Sequence, residues 1–435
     1  MNYYLIALGC QMNLSDAERI RTILKRMGYE EATNEQDAHI LGVVACSVRQ
    51  KAIDKVYTKI NTWNNWKKEK NLLTFLSGCV LPTDKKKLLT RFDFIFDIKD
   101  LVQLPQMIRS YGILTPISFN AYHSVQSFWD VPASYTSTFE AYVPIQNGCD
   151  KFCTFCAVPY TRGREYSRPS SNILQEVQTL IMKGYKSITL LGQNVNSYGL
   201  DNPKNEINFA ELLQEIGKIG NQAQQKCWIY FTSPHPHDMT EDVLHIVRQY
   251  PVLAKNIHLP LQSGDDKILI RMNRNYRVSH YRKIVHRIRA LLPNATLFTD
   301  IIVGFSDETT EQFLNTAQAM QEFRYNMAFI APYSPRPGAA SYRWKDDITI
   351  AEKKSRYRHL TKILAQTALM HNQDYIGKEC NILIYAPARN EGYLNGRTEG
   401  RIPIQVTSNQ KELVGTFQRA YVTHAQPFSL FGRII

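Results

Sequence analysis

Short apolar runs alternate with amphipathic stretches from the first residues of the chain. "YYLIAL" precedes a helical pattern that starts at Ser15, read as its N-cap, and ends at Met27, with Gly28 as the stop. "HILGVVA" is followed by the helical "SVRQKAIDKVYTKINTWNNW", and "NLLTFLS" by the basic "DKKKLLTRF". This βαβαβ order predicts a parallel sheet covered by helices over residues 1–112. The three runs lead into Cys10, Cys46 and Cys79. In an open parallel sheet the carboxyl ends of the strands form one ligand-binding edge, so three thiols far apart in sequence are expected to meet there. One thiol closing a strand is ordinary core; three on the same edge are not.

Residues 113–138 are rich in Ser, Thr, Pro and aromatics, show no clear period, and read as a connecting segment. From 139 to 372 the candidate strands are "AYVPIQ", "SITLLGQ", "WIYFTS", "NIHLPLQ", "TLFTDIIVGF" and "MAFIAPY". Helical patterns such as "NILQEVQTLIMKG", "FAELLQEIGKI", "VSHYRKIVHRIRALL" and "TEQFLNTAQAMQEF" fall between them. Repeated βα units at this spacing predict a partial (βα)6 barrel, its active face built from the loops after each strand. Residues 373–435 change to short β patterns broken by Gly, Asn and Pro, which suits a small antiparallel β-barrel. The expected class is therefore α/β, in three parts.

A chain of 435 residues exceeds one ordinary core. Its formal charge of +13 is compatible with a polyanionic partner, and equally with a merely soluble basic surface. No run approaches the roughly 18 apolar residues that span a bilayer, and the N-terminus lacks a secretory pattern, so a cytoplasmic protein without membrane contact is expected. In a reducing compartment, clustered cysteines more often bind metal or do redox work than form structural disulfides. Cys227 in "CWIYF" and Cys380 in "CNILIY" read as packing residues, and the eleven His show no ligand or triad spacing.

"NGCDKFCTFC" sets Cys149, Cys153 and Cys156 in CxxxCxxC spacing directly after the first barrel strand. Three thiolates in one tight loop suit one face of a cube-shaped iron–sulfur cluster and leave one iron open to a small molecule. A zinc site would want a fourth Cys or His, and no His stands near the triplet in sequence. A redox dithiol in "CTFC" would leave Cys149 without a task. The residues alone leave these alternatives open.

At the triplet the chain resembles the radical SAM superfamily, whose signature CxxxCxΦC has an aromatic Φ, here Phe155. The whole chain resembles the methylthiotransferases of that superfamily. "LGCQMNLSD", "CSVRQKA" and "SGC" match their auxiliary-cluster segments; "VPYTRGREYSRP", "LLGQNVNSYG", "FTSPHP" and "HLPLQSGDDKIL" match the barrel; "IGKECNILIY" and "LNGRTEGRIPIQV" resemble the TRAM domain. The resemblance implies two 4Fe–4S clusters, one on Cys10, Cys46 and Cys79 and one on Cys149, Cys153 and Cys156. It also implies S-adenosyl-L-methionine as methyl donor and radical source, tRNA as partner, an electron donor such as flavodoxin or ferredoxin, a sulfur source, and a monomer. "GCQMN" and "TSPHP" look like members that place a methylthio group on carbon 2 of isopentenyl-adenosine beside the anticodon. The alternatives are threonylcarbamoyl-adenosine, a ribosomal-protein aspartate, or a non-catalytic RNA-binding iron–sulfur protein.

Phe155, Gln193, Asn194, Gln262 and Ser263 are the expected cofactor contacts, although polar residues after strands also cap turns. Arg162, Arg164, Arg168 and Arg397 are the expected RNA contacts, against the alternative of solvated charges. Val44-Ala45 replaces the usual Asn-Thr before the second auxiliary cysteine, and Ser306-Asp307 replaces a Pro-Gly turn. Altered packing or substrate fit is expected from these departures, not lost chemistry.

Overall fold

The computed structural model describes residues 1–47, 50–112 and 127–435. Strands β1 (Asn2–Leu8), β2 (Glu30–Glu31), β3 (Ile40–Cys46), β4 (Leu73–Cys79) and β5 (Phe94–Ile95) form one parallel sheet in the order β2-β1-β3-β4-β5. Helices α1 (Gln11–Arg26), α2 (Gln50–Trp66), α3 (Pro82–Leu88) and α4 (Leu104–Ser110) connect and cover it. Every residue of β3 and β4 is buried. The pleat divides β3 between two cores: Ile40 and Val44 pack with Ile20 and Leu24 of α1, while Leu41, Val43 and Ala45 pack with Val56, Ile60 and Trp63 of α2. Cover on both faces is why these strands read as continuous apolar runs. It also absorbs the Val44-Ala45 departure, one residue into each core.

One boundary differs from the sequence expectation. Helix α1 begins at Gln11 with Cys10 as its N-cap, and Ser15 lies buried inside it, its hydroxyl donating to the Tyr142 carbonyl at 3.3 Å. Asn13 takes the capping role instead, its Oδ1 accepting the Cys10 N–H at 3.3 Å. The helix stops at Met27 and Gly28 as read.

Residues 113–126 of the expected connecting segment lie outside the described residues. From 127 onward the segment is a strap on α1. Phe128, Trp129 and Val131 join the N-terminal core, and Glu18 Oε1 accepts the Thr136 N–H and hydroxyl at 2.9 Å each.

The middle region contains β6 (Glu140–Pro144), β7 (Gln146–Asn147), α5 (Val158–Arg162), β8 (Tyr166–Ser167), α6 (Ser170–Met182), β9 (Ser187–Leu191) and α7 (Phe209–Gln222). It continues with β10 (Trp228–Phe231), α8 (Glu241–Gln249), β11 (Asn256–His258), α9 (Asp266–Arg271) and α10 (Val278–Leu291). β12 (Thr296–Val303), α11 (Thr310–Phe323), β13 (Met327–Pro332) and α12 (Ile350–Gln373) complete it. The six main strands form two parallel sheets, β6-β9-β10 and β11-β12-β13, with helices outside: an incomplete α/β barrel. The cysteine triplet lies in the loop between β7 and β8, which pair antiparallel at its base. Asp307, in the departure turn, has φ +62 and is held by Arg271 at 2.5 Å.

Strands β14 (Glu379–Pro387), β15 (Tyr393–Thr398), β16 (Pro403–Thr407), β17 (Phe417–Gln426) and β18 (Ser429–Ile434) close a barrel in the order β14-β15-β16-β18-β17. The β15–β16 turn is inserted beneath the α/β barrel. The Tyr230 hydroxyl donates to the Glu399 carbonyl (2.9 Å), the Lys255 N–H to Glu399 Oε1 (3.0 Å), and the Thr296 hydroxyl to the Gly400 carbonyl (2.8 Å). Arg401 reaches the Thr189 hydroxyl at 2.8 Å and lies 4.0 Å over the Tyr230 ring.

Candidate functional site

The β3–β4 register sets Cys46 directly opposite Cys79, and the two thiols share a hydrogen bond. Cys10 enters from the turn after β1. Asn13 sits between Cys10 and Cys79: its amide donates to the Ala45 carbonyl at 3.0 Å and stands 3.9 Å from Cys79 Sγ, and its oxygen accepts from Cys10 Sγ at 3.3 Å. Glycines make this approach possible. A Cβ on Gly9 would stand 2.9 Å from Cys46 Cβ. On Gly78, whose φ is +104, it would stand 2.8 Å from Asn13 Nδ2 and closer still to the Ala45 carbonyl oxygen. The strand-end cysteines therefore meet on one edge, as the parallel order requires.

The triplet loop turns through Phe152 at φ +46. Thr154 fastens it to the end of α9, its N–H donating to the Met272 carbonyl (3.0 Å) and its hydroxyl to that of Arg271 (2.8 Å). Cys153 Sγ accepts from Arg274 Nη1 at 3.4 Å, and Cys156 Sγ from the Val158 N–H at 3.5 Å. Burial pushes the Cys149 thiol up to about 11 and the Cys156 thiol up to about 12. A shared hydrogen bond with Cys46, then burial, raises Cys79 well above its ordinary value. Without metal these thiols stay protonated, so binding would release protons. Among the described residues no three His, Cys, Asp or Glu are drawn in as a single ion requires. Both donor sets are all-cysteine, which suits a cluster bonded through several irons.

Arg162 joins the two sites. Its Nε donates to Cys79 Sγ at 2.8 Å, Nη2 pairs with Asp16 Oδ2 at 2.6 Å, and Nη1 donates to Asn147 Oδ1 at 2.9 Å, two residues before Cys149. Beside this bridge a cavity of about 750 Å³ runs from Cys10 and Gln11 into the barrel, past Gln193, to Arg397 and Arg401. Its walls include Leu191, Phe231, Phe298 and Phe329, with the His258–Asp300 pair (2.9 Å) between them. A cavity of about 810 Å³ under α10 and α12 contains none of the cysteines.

Several expected site residues do other work. Gln193 does line the cavity, its side-chain oxygen held by the Gly148 N–H at 2.6 Å. Asn194 is buried, donating to Asp238 at 3.0 Å while its own Oδ1 lacks a partner. Burial alone would raise the Asp238 carboxyl, but hydrogen bonds from Asn194, Lys151 and His237 hold it below the carboxylate range. Phe155 turns its ring edge-on to Phe305, 6.4 Å away, in a satellite apolar cluster. Gln262, at φ +70, completes the β12 ladder with its backbone. Ser263 is fully buried against Thr316 and accepts the Asp265 N–H, which is the turn-capping alternative.

The arginines divide similarly. Arg162, with a side chain 3% exposed, is not available to phosphate. Nor is Arg168, which pairs with Glu176 and lies over Trp129. Arg397 pairs with Glu140 at the cavity floor. Arg164 alone of the four projects outward, 77% exposed and bidentate to Asp150. The sequence reading missed Asn13, Asp16 and Arg274; "RMNRNY" carries no spacing that marks Arg274, whereas Asn13 follows Cys10 at the three-residue interval that turns it back toward that cysteine on α1.

The radical SAM superfamily model matches residues 143–320, and that of uncharacterized protein family UPF0004 matches 2–97. A protein of Carboxydothermus hydrogenoformans called tRNA-2-methylthio-N(6)-dimethylallyladenosine synthase is 36% identical, over 100% of this chain and 99% of its own. Proteins of the same name from Dictyoglomus thermophilum (36% identical, 100% and 98% covered) and Thermotoga petrophila (32%, 100% and 97%) match as fully. Among solved structures, the radical S-adenosylmethionine methyltransferase TsrM from Kitasatospora setae, with cobalamin and a [4Fe-4S] cluster, aligns at TM-score 0.55 and 12% identity. The alignment covers 78% of this chain and 76% of that one, and shares the fold. Two cysteine triplets joined through Arg162, with relatives matched end to end, leave one assignment: the chain belongs to the tRNA-2-methylthio-N(6)-dimethylallyladenosine synthase family of radical SAM proteins.

Proposed function

We propose that this chain adds a methylthio group to carbon 2 of N6-dimethylallyl-adenosine in tRNA. The full-length identity to synthases of that name carries the reading. Cys10, Cys46 and Cys79 hold one 4Fe–4S cluster, and Cys149, Cys153 and Cys156 the other. Together with S-adenosyl-L-methionine, the clusters supply the radical, the sulfur and the methyl group. The chain's own residues supply position and enclosure. Gln193, fixed by Gly148, offers its amide N–H at the cavity's upper rim, and Asn194 and Asp238 add polar groups beside the triplet loop. Phe231, Phe298 and Phe329 give an aromatic wall suited to adenine and to an apolar alkenyl tail. The β15–β16 turn closes the floor against water. Arg164 meets phosphate at the outer rim.

A one-electron carrier such as flavodoxin or ferredoxin and a separate sulfur source complete the requirements of a cytoplasmic monomer. No described helix is long and apolar enough to cross a membrane. Anaerobic reconstitution should give about eight irons per chain; about four would sink the two-cluster assignment. Cys79→Ala should halve the iron while leaving uncoupled formation of 5′-deoxyadenosine. Mass analysis of tRNA nucleosides from a host lacking its own synthase, with and without this gene, tests the substrate. A methylthio group found only on threonylcarbamoyl-adenosine would overturn it.

A further inference from the structure

We propose that Arg162 and Asp16 form an opposed pair that sets the reduction potential of the cluster on Cys10, Cys46 and Cys79, Arg162 raising it and Asp16 lowering it. The inference rests on the cluster assignment above. The event concerned is the entry of one electron into the cluster from a low-potential chemical reductant, with no bond made or broken and no proton moved.

The geometry is specific. The guanidinium Nε–H points at Cys79 Sγ from 2.8 Å, while Nη2 meets Asp16 Oδ2 at 2.6 Å. Both side chains are 3% exposed, so solvent screens neither charge well. A cation hydrogen-bonded to a ligand sulfur withdraws charge from it and favours the more negative, reduced cluster. A carboxylate behind that cation does the reverse. Arg162 touches the Cys79 sulfur directly, while Asp16 stands behind the guanidinium. The triplet is arranged differently. Cys153 accepts from Arg274, whose other partners are the Pro260 carbonyl and the Tyr276 hydroxyl, both neutral. Among the described residues each three-cysteine site thus has one buried guanidinium on one sulfur, but only the auxiliary site has a carboxylate paired against it.

Arg162 is a positioning residue, and a plain brace between the two loops is the competing account. The two accounts separate on sign. A brace is broken by losing either partner, so Arg162→Gln and Asp16→Asn would move the potential the same way or not at all. An opposed electrostatic pair moves it in opposite directions.

The test uses the full chain with Cys149, Cys153 and Cys156 changed to Ala, reconstituted anaerobically. The midpoint potential of the remaining cluster is read by EPR during titration with dithionite and redox mediators. Arg162→Gln should shift the midpoint to more negative values, Arg162→Lys should restore part of the shift, and Asp16→Asn should move it positive. Shifts of the same sign, or none, would overturn the proposal. If Arg162→Gln fails to hold iron, Asp16→Asn decides alone: a positive shift supports the proposal and any other result refutes it. If the parent variant itself binds no cluster, the cysteine assignment fails instead.

Discussion

Replacing Gly78 by Ala places a single methyl group where the auxiliary site can least accommodate it. The residue has φ +104, a region that L side chains rarely adopt, which alone costs about 1–3 kcal/mol. The added Cβ would also stand 2.8 Å from Asn13 Nδ2 and 2.9 Å from the Ala45 nitrogen, where ordinary contact begins at 3.4 Å. Relief needs a movement of about 0.6 Å from Asn13 and more from the Ala45 carbonyl oxygen, whereas metal–ligand distances tolerate about 0.2 Å. Both obstacles belong to the β3 backbone or to the side chain wedged between the cysteines, so neither swings away. Gly78→Ala should therefore fold, lose the auxiliary cluster, and fall from about eight irons per chain to about four. Uncoupled formation of 5′-deoxyadenosine should persist and methylthiolation should disappear. Gly163→Ala is the control: its φ is +81 but nothing lies within 4 Å of the added atom, so strain appears without intrusion. Iron retained in full by Gly78→Ala, or lost equally by both variants, would refute the reasoning.

Glu176 lies between Arg168 and Arg19 with the Tyr135 hydroxyl on it. Burial alone would raise its carboxyl, but the two arginines and the tyrosine hold it below the ordinary 4.5. A depressed folded value means that its stabilisation is complete above about pH 4.5 and drains as pH falls through that folded value. Glu176→Gln should cost about 3–5 kcal/mol at neutral pH, because two buried cations lose their partner. It should also flatten the acid limb of denaturant stability; an unchanged acid limb would contradict the network. Arg164→Ala should leave thermal stability nearly unchanged, since an exposed pair contributes about 0–1 kcal/mol. The variant should weaken tRNA binding and reduce the salt slope by about 1 in a filter or fluorescence titration; an unchanged slope would remove Arg164 from the interface. Arg401→Ala loses a desolvated cation–π contact of about 2 kcal/mol. Limited proteolysis between α12 and β14 should then accelerate, and an unaltered cleavage rate would show that the turn is held by its carbonyl bonds alone.

Periodicity carried the fold because packing imposes it. Strands β3 and β4 are covered on both faces, and their unbroken apolar runs say so. The open edge of a parallel sheet then predicts where Cys10, Cys46 and Cys79 gather. Strand β18 carries little signal of its own, because only Leu430 within it is fully buried, which leaves no alternation to read. The polar site residues were harder for a related reason. A side chain such as Arg162 or Ser263 has the same letter whether it faces solvent, caps a turn or hydrogen-bonds a cysteine, and only the partner decides. Arg168 and Ser263 proved internal because Glu176 and Thr316 are waiting for them, and neither partner is visible from the local sequence.

The turn of residues 398–402 gives the C-terminal barrel a consequence beyond any contact with RNA. Its atoms touch β9, β10, β11 and β12 at once, meeting the last two at their first residues, so it acts as a cork driven into the incomplete barrel. A chain shortened before β14 would be an open-ended pipe, with bulk water reaching the aromatic walls from behind. Grafting a different C-terminal module onto this barrel would demand the same cork, whatever nucleic acid the new module bound.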